Sequence, residues 1–195
     1  MVDLAMGREL AKVIANGFGG EPRVDRFWDA DDKTSVDVLQ CSPSPINGVT
    51  SYATLGVSFT PVVKDGRQLP IYTELIGACG TTFTDFPNCL ATAAFNVLNT
   101  GWSIAPGIVF RDVVRMYRST GDMNDLLFVP PFLWSGLPTS VEMDDRKVSL
   151  LLAVPISTSE RRYAVDCGVA ALEKVFEQAQ IDIFNLDRSS VALDS

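Results

Sequence analysis

The stretch that decides the predicted fold runs from Lys147-Val-Ser-Leu-Leu-Leu-Ala-Val-Pro-Ile156 directly into Ser157-Thr-Ser-Glu160. The first part is apolar on both faces, which predicts a central β-strand that is covered on both sides. The spacing of Ser157 and Glu160 predicts a capping box, in which each side chain satisfies a backbone N–H of the first helical turn. A buried strand that leads straight into a helix is typical of α/β architecture.

The segment after Ser157 predicts one amphipathic helix that packs on this strand. Its expected buried stripe consists of Val165, Val169, Leu172, Val175, Phe176 and Ala179. Gly168 lies on the same stripe, where the missing side chain predicts close packing against the sheet. After the helix, Arg188 follows Asp187 and is expected to tie the tail to the body through a bidentate contact with a carboxylate.

The rest of the chain predicts further elements of one domain that spans residues 1–195. Helices are expected at residues 2–16 and 85–98, the second one capped by Thr84 or Asp85. Extended segments are expected at residues 24–28, 35–41, 50–59, 70–77, 110–117, 125–129 and 140–143. The first four of these segments pair as two hairpins.

The composition is that of a globular protein, because 47% of the residues are hydrophobic and 21% are charged. No apolar run approaches the roughly 18–20 residues of a membrane helix. The first residues lack the basic start and the apolar core of a signal peptide. We therefore expect a cytoplasmic protein that does not enter a membrane.

The charge and the residue types exclude several classes of function. A net charge of −8 argues against binding of nucleic acids, which requires a basic surface. The same charge suits a basic protein partner, although an acidic surface also serves solubility alone. The chain has no histidine, which removes Ser-His-Asp and Cys-His catalysis and the usual general base near neutral pH. We predict no catalytic residue, no cofactor and no metal site.

The four cysteines are Cys41, Cys79, Cys89 and Cys167. Each lies in a mostly apolar context, so reduced and buried thiols are expected. A disulfide between Cys79 and Cys89 is the alternative that their spacing leaves open.

An acidic hairpin is the first candidate for a binding surface. Asp29, Asp31 and Asp32 follow Trp28 in the predicted turn between the first two strands. Their oxygens suit a divalent cation, but their spacing does not match an EF-hand loop. The two interpretations that remain are a solvated loop and a docking site for a basic partner.

Two further candidates lie in the second half of the chain. Phe132-Leu-Trp134 predicts an exposed aromatic patch, because interfaces concentrate such residues, with burial in the core as the alternative. Glu142, Asp144 and Asp145 form a second acidic cluster that either contacts a partner or forms a polar turn before the central strand.

The order of these motifs resembles the Suppressor of fused-like family. Tyr52-Ala-Thr-Leu-Gly-Val-Ser58 resembles its Tyr-x-Thr-x-Gly-x-Ser strand, and Glu74-Leu-Ile76 resembles the strand paired with it. Pro155 to Glu160 resembles its Pro-Ile-x-x-x-Glu segment before a glycine-containing helix, and the stretch to Val191 resembles its end. The resemblance covers residues 50–191.

The resemblance implies a fold and a function. It implies an α/β (α+β) domain with a mixed, mostly antiparallel sheet flanked by helices, in which Ser157, Glu160, Gly168 and Arg188 belong to the scaffold. It also implies protein binding without catalysis, since bacterial members of the family look like immunity proteins that neutralise toxins of polymorphic systems. The expected protein is a monomer or a homodimer that binds a protein partner, such as a basic toxin domain.

Two other functions stay open at this point. One is a histidine-free enzyme that uses Glu74, Glu142 and Asp144, with or without a divalent metal, provided that the fold brings two carboxylates together. The other is a structural subunit of an assembly, which an exposed apolar patch around Trp134 would indicate.

Overall fold

The computed structural model describes residues 4–61, 63–64, 67–68, 71–143 and 146–193. Its helices are α1 (Leu4–Phe18), α2 (Phe86–Thr100), α3 (Thr158–Cys167), α4 (Val169–Ala179) and a 3-10 helix (Val57–Phe59). Its strands are β1 (Glu21–Trp28), β2 (Ser35–Ser42), β3 (Val49–Leu55), β4 (Val63–Lys64), β5 (Arg67–Gln68), β6 (Tyr72–Gly80), β7 (Val109–Phe110), β8 (Met123–Val129), β9 (Ser140–Glu142) and β10 (Lys147–Ser157). Within the described residues, no helix has the length and hydropathy needed to cross a membrane.

The described strands form a large sheet and a small hairpin. The large sheet has the order β1-β2-β3-β6-β10-β8-β7, and β9 also pairs with β10. Strand β10 runs parallel to β6, whereas the other pairings in this sheet are antiparallel. This arrangement confirms the predicted mixed and mostly antiparallel sheet with flanking helices. Among the described residues, strands β4 and β5 form a separate two-stranded sheet.

Helices cover both faces of the large sheet. Helix α2 packs on one face, where Phe86 and Leu90 are fully buried. Helices α1 and α4 pack on the other face through Ile14 and Leu172. Strand β10 contributes residues to both cores, so the strand predicted to be central is covered on both sides.

The helix predicted after Ser157 is broken in two at Gly168, which corrects two predictions. Gly168 has φ 92° and ψ 152°, and nothing lies within 4 Å of the position that a Cβ would take. The glycine therefore provides a backbone conformation that other residues rarely adopt, and close packing was the wrong reason for it. The break also disrupts the predicted stripe, since Val165 is exposed whereas Leu172 is buried.

Residues 111–117 form turns, although an extended segment was expected at 110–117. Asp112 has a left-handed conformation with φ 59°. Its backbone N–H donates to the buried carboxylate of Asp125 at 2.7 Å, and Arg161 Nε donates to the other oxygen of that carboxylate at 2.7 Å. Asp125 thus holds the turn against α3 through a contact that the sequence pattern did not predict.

A turn also ends the strand predicted to reach residue 59. Strand β3 stops at Leu55, and Gly56, with φ 139°, leads into the 3-10 helix. The strand alternation continues past Leu55 in the sequence, so the pattern alone does not mark this end.

The four cysteines are free thiols, so the alternative of a disulfide between Cys79 and Cys89 was wrong. Cys41, Cys79 and Cys89 are buried as expected, whereas Cys167 is exposed at the end of α3. Burial raises the pKa of Cys41 to about 11 and that of Cys79 and Cys89 to about 12. These three thiols are therefore protonated at neutral pH and serve as small core residues.

Candidate protein-binding surface

Asp29 organises the turn between β1 and β2. Its carboxylate accepts hydrogen bonds from the backbone N–H of Lys33 at 2.8 Å and from Asn99 Nδ2 of α2 at 2.9 Å. Desolvation opposes the ionised form, but the hydrogen bonds from Lys33, Thr34 and Asn99 outweigh it and lower the pKa of Asp29. Asp29 therefore anchors the hairpin to α2 as an anion.

The tip of the same hairpin carries two exposed carboxylates. Asp31 forms an ion pair with Lys33 at 3.0 Å, and both side chains are exposed. Asp32 is exposed and adopts a left-handed conformation with φ 54°. Because an exposed ion pair contributes only about 0–1 kcal/mol, Asp31 can exchange Lys33 for an external cation at little cost.

A cleft of about 340 Å³ lies between this hairpin, α2 and the turn at residues 111–117, and we call it the hairpin cleft. Three large side chains on its wall are exposed: Trp28 by 52%, Met116 by 67% and Tyr117 by 37%. The phenolic oxygen of Tyr117 lies 2.6 Å from Thr92 Oγ1 of α2, which fixes the ring at the cleft. Trp, Tyr and Met are residue types that protein interfaces concentrate.

One side of this cleft was predictable from the sequence, whereas the other side was not. Trp28 and the acidic hairpin were predicted from their composition. Met116 and Tyr117 were not, because they lie 84 or more residues after Asp32, in a segment that was expected to be extended. Only the turn after β7 brings them beside α2.

The structure places Trp134 in the core, which is the alternative to an exposed aromatic patch that the sequence left open. Its ring lies 4.6 Å from the ring of Phe18, and its Nε1 donates to Ser51 Oγ at 2.8 Å. A buried Trp needs such a partner for its N–H. Trp134 therefore does not form the exposed apolar patch that would indicate a subunit of an assembly.

Phe132 is exposed by 65%, as the sequence predicted, but it lies away from the hairpin cleft. It borders a second groove, between α4 and strands β8 and β10, which we call the α4 groove. The hairpin cleft is lined by residues of α2, on the opposite face of the large sheet. The fold therefore does not combine the predicted aromatic residues into one surface.

The second acidic cluster is described only in part. Glu142, at the end of β9, is exposed and pairs with Lys147 Nζ at 2.8 Å. Asp144 and Asp145 lie outside the described residues. Glu142 by itself forms the kind of exposed ion pair that is typical of a polar turn.

Two of the three carboxylates proposed for an enzyme, Glu74 and Glu142, differ in their environment, and the third, Asp144, lies outside the described residues. Glu74 is completely buried, and its oxygens accept hydrogen bonds from Thr54 Oγ1 at 2.6 Å, from Ser58 Oγ at 2.6 Å and from the backbone N–H groups of residues 56–58. Its carboxyl is thus enclosed, whereas Glu142 is exposed. Across the part of the chain that the structure describes, no group of three or more His, Cys, Asp or Glu side chains is placed to hold a metal ion.

The sequence of the chain matches the family model described as Suppressor of fused protein (SUFU) over residues 32–189. The chain belongs to the SUFU family. The match begins in the β1–β2 turn and ends just after Arg188, so it includes β2, which the resemblance in the sequence left out.

A bacterial relative matches almost the whole chain. It is the "Immunity protein YqcF" of Bacillus subtilis (strain 168), which is 37% identical over 182 residues. The alignment covers 93% of this chain and 95% of the relative.

Solved structures agree with the fold. A SUFU homologue from Neisseria gonorrhoeae superposes with a TM-score of 0.74 at 16% identity, and the match covers 98% of this chain and 100% of the homologue. Drosophila Suppressor of Fused gives a TM-score of 0.65 at 12% identity, and the match covers 95% of this chain and 50% of the Drosophila chain. At these identities the likeness concerns the fold alone.

Proposed function

We propose that this protein is a non-catalytic bacterial immunity protein that binds and neutralises a toxin domain in the cytoplasm. The observation that carries the proposal is the relationship to a protein named as an immunity protein, at 37% identity and over nearly the full length of both chains. The absence of histidine and the enclosed carboxyl of Glu74 favour binding over catalysis.

We further propose that the toxin docks at the hairpin cleft. Trp28, Met116 and Tyr117 provide exposed anchors, and the tip residues Asp31 and Asp32 provide negative charge beside them. A central group of large side chains surrounded by charge is the usual arrangement of an interface hot spot. A stable complex at this surface would bury roughly 1,200–2,000 Å² in total.

The function is tested by co-expression. A candidate toxin domain, chosen from the genes that neighbour the gene of this protein, is induced in cells that do or do not express this protein, and growth is recorded. We expect growth to be restored, and a complex to elute as one species in size-exclusion chromatography. Growth arrest despite normal levels of folded protein would contradict the proposed function.

The surface is tested by charge reversal. In the variant Asp31→Lys with Asp32→Lys, a basic partner should associate about tenfold more slowly at low salt, because opposite charges chiefly accelerate encounter. The salt dependence of the association rate should also flatten. The matched control, Glu9→Lys with Asp166→Lys, makes the same charge change at exposed positions elsewhere. Equal rates for the two variants would remove the hairpin from the interface.

A further inference from the structure

The α4 groove has a volume of about 480 Å³ and a predominantly apolar lining. Leu127 and Val129 of β8 and Val154 of β10 form its floor, and these three side chains are buried. Phe176 of α4 forms a wall. The guanidinium carbon of Arg188 lies 5.2 Å from the centre of the Phe176 ring, so the buried anchor of the tail also holds this wall.

Phe132 forms an apolar lip of the α4 groove. It follows Pro130 and Pro131, which end β8 because proline cannot donate a backbone hydrogen bond to the sheet. The ring is exposed although the floor beside it is buried. An apolar group that entered the groove would cover the exposed ring, and such burial favours binding.

The opposite rim of the groove is acidic. Glu173 and Glu177 both line it and lie one helical turn apart on the exposed side of α4. Like charges at this spacing repel each other. Neither residue belongs to any ion pair among the described residues, so the chain leaves two negative charges beside an apolar floor.

We infer that the α4 groove binds a segment of a partner protein in which large apolar side chains are flanked by lysine or arginine. The apolar side chains fit between the floor and Phe132, and the cations reach Glu173 and Glu177. This groove lies on the opposite face of the sheet from the hairpin cleft. The inference therefore adds a second binding site and does not depend on the first.

The charges disfavour other occupants. A symmetric pair of copies that met at this groove would bring Glu173 and Glu177 of both chains together, since a two-fold interface places the same residues on both sides. Nucleic acid would place its phosphates against the same carboxylates. A cationic and apolar protein segment is the occupant that satisfies both parts of the groove.

The test uses the whole protein and an acetylated, amidated peptide of sequence Lys-Lys-Leu-Phe-Lys-Lys. Binding is followed by chemical shifts of the 15N-labelled protein and by titration calorimetry. We expect shifts concentrated at the residues of the groove. The variant Glu173→Lys with Glu177→Lys should bind about tenfold more weakly, and Phe132→Ser should weaken binding several-fold.

The controls separate this inference from general attraction of a cationic peptide to an acidic protein. The variant Glu9→Lys with Asp166→Lys, at exposed positions outside both proposed sites, has the same net charge as the doubly substituted groove variant and should bind within about twofold of wild type. A peptide with glutamate in place of each lysine should not bind. Circular dichroism and thermal unfolding establish that each variant is folded.

Four results would overturn the inference: shifts spread over the acidic surface, unchanged groove signals, equal weakening by the two charge-reversed variants, or equal binding of the acidic peptide. Groove signals that shift with protein concentration alone would instead indicate a second copy as the occupant. Growth protection by the groove variants is measured separately. A negative result for peptide binding at this groove can therefore be distinguished from a failure of the proposed immunity function, which the growth measurement tests.

Discussion

Glu74 and Glu160 are both completely buried, yet the protein stabilises them in different ways. Glu160 faces a cation, because Arg188 donates Nη1 to Oε1 at 2.6 Å and Nη2 to Oε2 at 2.8 Å. Glu74 belongs to none of the ion pairs among the described residues and accepts hydrogen bonds from hydroxyl and backbone N–H groups. Arg188 thus neutralises the charge of Glu160, whereas the Glu74 carboxyl is surrounded by the dipoles of hydroxyl and N–H groups.

The difference follows from what each segment offers. Around Gly56 the chain turns sharply, and the N–H groups of three successive residues point at the Glu74 carboxyl. The tail after Ile181 contains no helix or strand among the described residues, and within them the one backbone N–H that it donates to Glu160 is that of Val191, at 3.0 Å. Arg188 supplies a charged and forked donor instead, and it also donates to the Pro155 carbonyl at 3.1 Å.

The environment of Glu74 also affects its protonation. Burial raises the pKa of Glu74, against the opposing hydrogen bonds from Ser58, Thr54 and the turn. A protonated Glu74 has a partner, since its O–H can donate to Thr54 Oγ1, and that hydroxyl can donate to the Leu75 carbonyl at 3.3 Å.

Removal of the cation should have the largest effect. Arg188→Met leaves Glu160 buried without a counter-ion, and we expect the free energy of unfolding to fall by about 3–5 kcal/mol. Urea unfolding measures the loss. The control is Arg23→Met, which breaks an exposed pair with Asp25 of 2.7 Å and should cost less than about 1 kcal/mol. Similar losses for both variants would contradict the contrast between buried and exposed pairs.

A double substitution sharpens this result. Adding Glu160→Gln to Arg188→Met removes the stranded charge, so the double variant should lose less than the sum of the two single losses. Additive losses in urea unfolding would show that the two side chains stabilise the tail independently.

Removal of the helix cap should have a smaller effect. Ser157 Oγ accepts from the Glu160 N–H at 3.1 Å, and the Glu160 carboxylate accepts from the Ser157 N–H at 2.9 Å, which completes the capping box. Ser157→Ala should lower the free energy of unfolding, measured by thermal denaturation, by about 1 kcal/mol. The matched control is Asp85→Ala, because the N-cap of α2 makes no side-chain hydrogen bond. An equal loss in the control would mean that the capping bond contributes nothing.

Glu74→Gln should have the smallest effect, of about 1 kcal/mol or less at mildly acidic pH, because the raised pKa of Glu74 favours the protonated carboxyl, which the amide resembles. A raised pKa means that the native state keeps a proton that the unfolded state has lost. Wild-type stability should therefore fall, relative to Glu74→Gln, as pH rises above the ordinary carboxyl pKa toward the raised value. Urea unfolding between about pH 5 and 8 checks the slope.

The opposite slope would show that the hydrogen bonds to Glu74 outweigh its burial. Glu142→Gln at the exposed end of β9 serves as the control for changes in net charge. It should leave the stability nearly unchanged across the same pH range, since exposed substitutions usually change stability by less than about 0.5 kcal/mol.

The features that could be predicted are those that depend on neighbouring residues or on a periodic pattern of apolar residues. Strand β10 is apolar on both faces because it lies between covered neighbours, and that requirement is visible in its composition. The capping box depends on two residues three positions apart, so its pattern is visible as well. The resemblance to the SUFU family rested on such local features, and the family match confirms it.

The errors arose where a distant contact or the backbone conformation decides the outcome. The local sequence around Trp134 allows an exposed side chain, and its burial depends on contacts with the distant residues Phe18 and Ser51. Gly168 was predicted to allow close packing within one helix, because the hydrophobic pattern does not reveal its positive φ. The hairpin cleft was half predicted, since Met116 and Tyr117 reach it only through the turn held by Asp125.

The sequence by itself determined the class of fold, the family and the scaffold motifs of this protein, because strand burial, helix capping and charge balance depend on short stretches or on composition. The tertiary structure decided which aromatic residues are exposed, which carboxylates are enclosed and which surfaces are concave. These properties depend on contacts between residues far apart in the chain, such as Arg188 with Glu160 and Tyr117 with Thr92. Neither contact follows from a local sequence pattern, because the partners are 28 residues apart in the first case and 25 in the second.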